Sequence, residues 1–299
     1  MRRSRAGQTF LAAAVFQAAV TVLPLPAQNY DEIQSERVAS GLSHVDGIVW
    51  SRDGFLVFAD PLKKKIYRLD PGKAPDPTDE DHNGAQGLAY DVQSRLYICE
   101  NDTRRVARLD RKGKMETLAE TYQGKKFNSP NDIVVRRDGH AYFTDPAFAG
   151  AIDHRELDFN GIFHIGPKGE LDLVAKWQTR PNGIAISNDG KTLFVTDSDR
   201  HAVVAFDVDG KGAVTNQRDV IRNIHGVPGG LRVDAAGKLY VAAWGLGVYA
   251  PDGKLIHTLL PGEITTNCAW GEPDFQTLFV AGRKAVYRVR LGVKGSVQY

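Results

Sequence analysis

Asn128-Ser-Pro-Asn-Asp-Ile-Val-Val-Arg-Arg-Asp-Gly-His-Ala-Tyr-Phe-Thr-Asp-Pro146 reads as a turn, a buried strand, an Asp-Gly hairpin and a second strand ending in an Asp-Pro corner. Ile133-Val-Val135 is a continuous apolar run, as expected of a strand covered on both faces. The same grammar recurs along the chain. Val45-Asp-Gly-Ile-Val-Trp50 and Phe55-Leu-Val-Phe-Ala-Asp60 form one copy, and Ala85-Gln-Gly-Leu-Ala-Tyr90 and Arg95-Leu-Tyr-Ile-Cys-Glu100 another. Asn182-Gly-Ile-Ala-Ile186 with Leu193-Phe-Val-Thr-Asp197, Gly229-Gly-Leu-Arg-Val233 with Lys238-Leu-Tyr-Val-Ala242, and Asn267-Cys-Ala-Trp270 with Thr277-Leu-Phe-Val-Ala281 complete the series.

Six units at a spacing of roughly 38 to 51 residues, with almost no helical periodicity, predict an all-β, six-bladed β-propeller of four-stranded antiparallel blades. The turns between inner and second strands fall on Asp53-Gly54, Asp138-Gly139, Asp189-Gly190 and Ala236-Gly237. Pro71 to His82 reads as a polar linker. The lone strand around Ile33 to Val38 is expected to close the ring by completing the blade that ends near Leu291.

Residues 1–27 read as an export signal: Arg2, Arg3 and Arg5, then the apolar run Phe10 to Leu23, then Leu25-Pro-Ala27 as cleavage site. The apolar run is too short to span a bilayer as a helix. The mature chain, residues 28–299, is then one domain that is periplasmic or secreted, with no membrane association after signal removal. Without the three signal arginines, 35 Lys plus Arg face 36 acidic residues. No basic block stands out, which excludes nucleic acid as the expected partner. A small-molecule substrate and a monomer or weak dimer are expected instead. Cys99 and Cys268 sit in apolar runs and read as two buried thiols.

One position precedes the inner strand in every unit: Asp46, Gln86, Asn131, Asn182, Gly229 and Asn267. In a propeller these starts converge on one mouth of the axial channel. Oxygen-bearing side chains there suit a hard cation such as Ca²⁺ or Mg²⁺ better than thiolate-held Zn²⁺. Asn, Asp and Gly also suit the turn that starts a strand. Asp132 and Asp197 are expected to bond turn backbone, and Glu100 to make a blade-to-blade contact with Arg104 or Arg105. Neither a Gly-x-Ser-x-Gly elbow nor a phosphate-cradling loop occurs, which sets aside serine hydrolases and nucleotide binders.

Gly124-Lys-Lys-Phe-Asn-Ser-Pro-Asn-Asp-Ile-Val-Val135 with Tyr142-Phe-Thr-Asp-Pro146 resembles the SMP-30/gluconolactonase family, especially its bacterial gluconolactonase-like branch. So do Ile98-Cys-Glu100 with Arg104-Arg-Val-Ala-Arg108, Pro181-Asn-Gly183 and Asn267-Cys-Ala-Trp-Gly271. The resemblance covers the mature chain. It implies a six-bladed propeller, one divalent cation near the axis (Ca²⁺ foremost, Mg²⁺ or Zn²⁺ behind it) and hydrolysis of a sugar lactone or related cyclic ester. It places the metal ligands on Asp46, Asn131 and Asn182, and substrate contacts on Asn131, Ser129 and Asn267. The family's metal-binding Glu is shortened to Asp46, and Ser129 stands where some members have Arg. Gly229 stands where the family's Pro-Asp-Gly motif supplies a fourth ligand and general acid/base. His225 and His44 are the remaining candidates for the base. The missing acid keeps open a propeller that only binds a carbohydrate-like ligand. It also leaves open a lyase or isomerase step on a larger substrate admitted by the space at Gly229.

Overall fold

The hairpin at Asp138-Gly139 is closed by backbone bonds from Gly139 to Arg136 (2.9 Å) and from Arg136 to His140 (2.7 Å). Gly139 takes φ 94°, a left-handed value that L side chains rarely adopt. On either side Ile133–Val135 pairs with Ala141–Asp145, which pairs with Asn160–Ile165, and that with Leu171–Trp177, all antiparallel. The computed structural model describes residues 28–78, 80–148, 152–177 and 179–296. The expected signal at 1–27 lies outside the described residues.

Three other sheets copy this order. They are built from Ile48–Ser51, Phe55–Asp60, Lys65–Leu69 and Asp76–Pro77; from Ala85–Tyr90, Leu96–Glu100, Arg105–Leu109 and Met115–Ala119; and from Pro181–Ile186, Thr192–Asp197, Ala202–Val208 and Val214–Ile221. The stretch Pro71 to His82 is therefore no mere linker, because Asp76–Pro77 supplies the outer strand of its sheet. Its two residues bond beside Tyr67 and Arg68.

Apart from a two-stranded ribbon of Thr121–Tyr122 with Lys125–Lys126, the remaining strands form one six-stranded sheet, in the order Ser35–Ala39, Ala285–Arg290, Thr277–Gly282, Leu255–Gly271, Leu239–Tyr249, Leu231–Val233. The chain thus forms four four-stranded blades and one larger sheet, where the repeats predict six separate blades. The cause is the unbroken Leu255–Gly271 strand. Its first half pairs with Leu239–Tyr249 and its second with Thr277–Gly282. Leu260 (φ 50°) and Gly262 (φ 89°) turn a corner inside its pairing with Leu239–Tyr249, between Leu259 and Ile264, and the partner changes just beyond, at Thr265. Ser35–Ala39 closes onto Ala285–Arg290 as expected, with Ser35 opposite Val289 and Arg37 opposite Tyr287.

Burial follows the repeat. Each apolar cluster lies between consecutive units: Val106 and Cys99 meet Ile133 and Phe163, and Tyr142 meets Ile184 and Val204. Ala185 meets Leu231, Tyr240 meets Cys268, Trp50 meets Phe279, and Val57 meets Leu88. The inner strands touch one another in chain order, and residues of Leu255–Gly271 touch Ile48–Ser51, so the circle is complete. Cys99 and Cys268 are both free and buried. No helix among the described residues is long and apolar enough to cross a membrane.

Candidate functional site

The lead-in to each inner strand is fixed by the unit beside it. Gly87 N donates to Asn131 O (2.6 Å), and Gly230 N to Thr266 O (2.7 Å). Hydroxyls do the same work elsewhere: Thr144 to Asn182 O (2.5 Å), Thr196 to Gly229 O (2.7 Å) and Thr266 to Val45 O (2.7 Å). Close approach at these seams requires glycine, since a Cβ on Gly87 would stand 2.5 Å from Cα of Asp132.

This ring presents three oxygen donors without protein partners. Asn131 is buried, yet no hydrogen bond reaches its side-chain amide among the described residues. Asn182 Nδ2 donates to Ser198 Oγ (3.0 Å) and Pro228 O (3.2 Å), which commits the nitrogen and leaves Oδ1 available. Among the described residues no hydrogen bond reaches the Asp46 carboxylate, and His44 Nε2 lies 3.9 Å from its Oδ2. Burial, and after it the charge of Asp132, pushes the Asp46 carboxyl up to about 8. A bound cation acts in the opposite direction on such a group. An unbonded carboxylate with two amide oxygens is an all-oxygen set that fits a hard divalent cation.

Behind the three donors lies a buried polar cluster. Asp132 accepts from the backbone of Ile133 (3.0 Å) and Ile184 (3.1 Å), which are inner-strand residues of its own and the next unit and not the expected turn, and faces the guanidinium of fully buried Arg232 at 3.9 Å. Asn267 hydrogen-bonds Asp132 and accepts from Cys268 N (2.9 Å). Burial raises the Asp132 carboxyl despite Arg232.

The other predicted site residues fall in different places. Ser129 is fully buried; Asn101 Nδ2 donates to its hydroxyl (2.5 Å), so it stands behind the mouth. Asn267 is 1% exposed and belongs to the Asp132 cluster. His44 flanks Asp46, and its imidazole is held below its usual value by burial and by Arg283. His225 is exposed, on a loop against Trp244, with ring centroids 6.3 Å apart. Glu100 contacts Arg105 (2.5 Å) inside its own sheet, because the two residues pair across adjacent strands; the expected blade-to-blade contact is not made. Gly229 offers no spare room: a Cβ there would stand 2.5 Å from Thr266 O. A cavity of about 1020 Å³ lies by the hairpin turns at the opposite ends of the inner strands, lined by Arg136, Asp138 and Asp189 among others, and contains none of these residues.

Sequence reasoning missed one flank. Four units end their second strand on an acid, Asp60, Glu100, Asp145 or Asp197, which bonds nearby backbone or side chains. The fifth and sixth units have Ala243 and Gly282 there, followed by Trp244 and Arg283. Aligning the second strands would have exposed that change.

A ring of antiparallel four-stranded units with polar side chains gathered at the inner-strand starts defines a β-propeller-type fold with a candidate binding mouth on its axis. The chain belongs to the SMP-30/gluconolactonase/LRE-like family, whose model matches residues 45–283. A gluconolactonase of Zymomonas mobilis is 32% identical over 288 residues, covering 85% of this chain and 80% of that protein. A regucalcin of Xenopus laevis is 29% identical over 245 residues, 78% of this chain and 80% of its own. Among solved structures, the gluconolactonase XC5397 of Xanthomonas campestris superposes with a TM-score of 0.80 at 29% identity, over 87% of this chain and 90% of that one.

Proposed function

We propose that this protein is an exported, metal-dependent hydrolase of a cyclic ester, built as a six-bladed propeller. The six-stranded sheet is read as two blades sharing the strand that turns at Leu260 and Gly262. One observation carries the chemistry: Asp46, Asn131 and Asn182 offer oxygens at the mouth with no protein hydrogen bond to satisfy them. These three residues would hold one divalent cation, Ca²⁺ in the first instance. Such a cation supplies Lewis-acid polarisation of the ester carbonyl.

The chain's own groups do the rest. The pair Ser198 Oγ and Pro228 O orients the Asn182 amide, and the Asp60 carboxylate, accepting from Ser43 N (2.7 Å) and His44 N (3.1 Å), fixes the loop that carries His44. The His44 imidazole beside Asp46 is the candidate to take a proton from attacking water at Nε2. Water adds to the carbonyl carbon, the ring C–O bond breaks, and the ring oxygen leaves as a hydroxyl after receiving that proton. The product is an open hydroxy acid.

Gly229 favours a second reading, a propeller that binds a small ligand without turning it over. The position resembling the family's acid/base carries no carboxylate, and its backbone is packed against Thr266. A divalent-metal titration with a lactone panel decides between the two. Hydrolysis above background that is abolished by chelator and restored by Ca²⁺ is expected; metal binding without turnover selects the second reading, and absence of metal binding refutes the three-ligand site.

A further inference from the structure

Trp244, Val227 and Ile264 form an apolar shelf on the rim of the candidate mouth. Trp244 is 48% exposed, Val227 57% and Ile264 39%, against the general burial of large apolar side chains in this fold. They are joined to one another and to the site. Trp244 stands opposite Ile264 across the strand pair. Trp244 N donates to His225 O (3.3 Å), and a Cβ on Gly226 would meet Trp244 at 2.8 Å, which brings the loop before Val227 against the indole's own backbone.

At one end Val227 leads into Pro228, whose carbonyl accepts from Asn182 (3.2 Å). At the other, Arg283 N bonds Ile264 O (3.0 Å) and Val45 N bonds Arg283 O (3.1 Å), one residue from Asp46. The shelf therefore runs from one proposed ligand to another. Beside Trp244 lies a cleft of about 400 Å³, lined by the apolar Val241, Ala243, Tyr249 and Leu255 and by the polar His225 and Thr258, among others.

We propose that the cyclic ester taken by this site carries an apolar substituent, an alkyl chain or an aryl ring, that lies on Trp244 and reaches into this cleft. The inference rests on the hydrolase reading for the ester and on the shelf for the substituent. An indole alone also suits the face of a sugar. Here the exposed side chains beside the indole on the rim are Val227 and Ile264, which offer ring hydroxyls no hydrogen bond, and the polar groups His225 and Thr258 of the cleft are too few to replace the water that a polyhydroxylated ring would lose. An alkyl or aryl group gains by leaving water in the same place.

The test compares an unsubstituted six-membered lactone, its alkyl- and phenyl-substituted derivatives and a polyhydroxylated sugar lactone, with wild type, Trp244→Ala and Trp244→Phe. The substituted lactones are expected to have kcat/KM about 10-fold or more above the other two. That preference should collapse in Trp244→Ala and return in Trp244→Phe. Preference for the sugar lactone, or an equal loss on every substrate, overturns the proposal. Calorimetry with the matching non-hydrolysable lactams separates it from the hydrolase reading. If no lactone is turned over but the alkyl lactam binds tighter than the plain one through Trp244, the substituent site stands and the hydrolase reading falls. If the two lactams bind alike, the substituent site falls. Sedimentation of wild type and Trp244→Ala covers the other occupant, since a dimer that dissociates on that substitution assigns the shelf to a second copy and overturns the proposal.

Discussion

The carbonyl oxygen of Thr266 lies 2.5 Å from where a Cβ on Gly229 would stand. Backbone cannot swing aside as a flexible side chain can, so any residue larger than glycine strains the seam between the fifth and sixth units. Gly229→Ala and Gly229→Asp are each expected to lose about 1–3 kcal/mol in urea unfolding. The two losses should be similar, because the Cβ is the offending atom. A fully stable Gly229→Asp protein would show that the strand relaxes and that an acid can be regained there.

Asp46 is a carboxyl without a hydrogen-bond donor, so its replacement should cost the apo-protein little. In Asp46→Asn the melting temperature without metal is expected to stay level or rise. The increase produced by Ca²⁺ should be lost; in wild type that increase corresponds to about 2.7 kcal/mol at a concentration 100 times Kd. Differential scanning calorimetry with and without Ca²⁺ measures both, and retention of the Ca²⁺ response would remove Asp46 from the ligand set.

Much of this was legible beforehand. The inner strands, the Asp-Gly turns and the closing strand near the N-terminus follow from alternation and turn chemistry, which are local. The continuous strand through Leu260 and Gly262 was not legible, because Pro261-Gly262 ordinarily ends a strand and only pairing on both sides carries it through. For the candidate site, register puts Asp46, Asn131 and Asn182 at or just before the inner-strand starts, and the fold has them there. The burial of Ser129 and Asn267 was not legible, since it depends on Asn101 and Asp132, far away in sequence. The Trp244 shelf escaped because exposure of an apolar residue leaves no mark on the strand pattern.

Burial pushes the Asp145 carboxyl from 3.8 up to about 7, although the amides of Asn128 and Ser129 oppose the shift. The folded value exceeds the unfolded one, so between these limits the native state holds a proton that the unfolded chain has released. Its contribution to stability is complete below the lower value and is lost as pH rises through about 7, at up to about 1.4 kcal/mol per pH unit. Urea unfolding from pH 5 to 8 should show a falling contribution that Asp145→Ser removes. Identical slopes in both proteins would contradict this account.

Both cysteines are buried among apolar neighbours, which raises the Cys99 thiol and pushes Cys268 up to about 12. A thiolate is the reactive form, so neither should react with a disulfide reagent such as DTNB in the folded state. Two equivalents should react promptly in denaturant. Rapid native labelling of either residue would show that its unit opens readily.

Removing residues 28–39 should leave Ala285–Arg290 as an open sheet edge. Such a truncation is expected to melt lower and to associate on size-exclusion chromatography, whereas a monomer with unchanged melting would assign the closing strand a marginal role.

The pairing of Ser35–Ala39 with Ala285–Arg290 also dictates an order of events in time. Glu36 and its partner Arg288 are 252 positions apart, so one of the first described stretches to be synthesised must wait for one of the last. Local hairpins can form as each unit emerges, but the circle stays unlatched until nearly the whole chain is present. Contacts of that span make folding slow and leave an unsealed edge meanwhile. A nascent chain of this design is therefore most vulnerable to proteases and to its neighbours just before its final strand arrives.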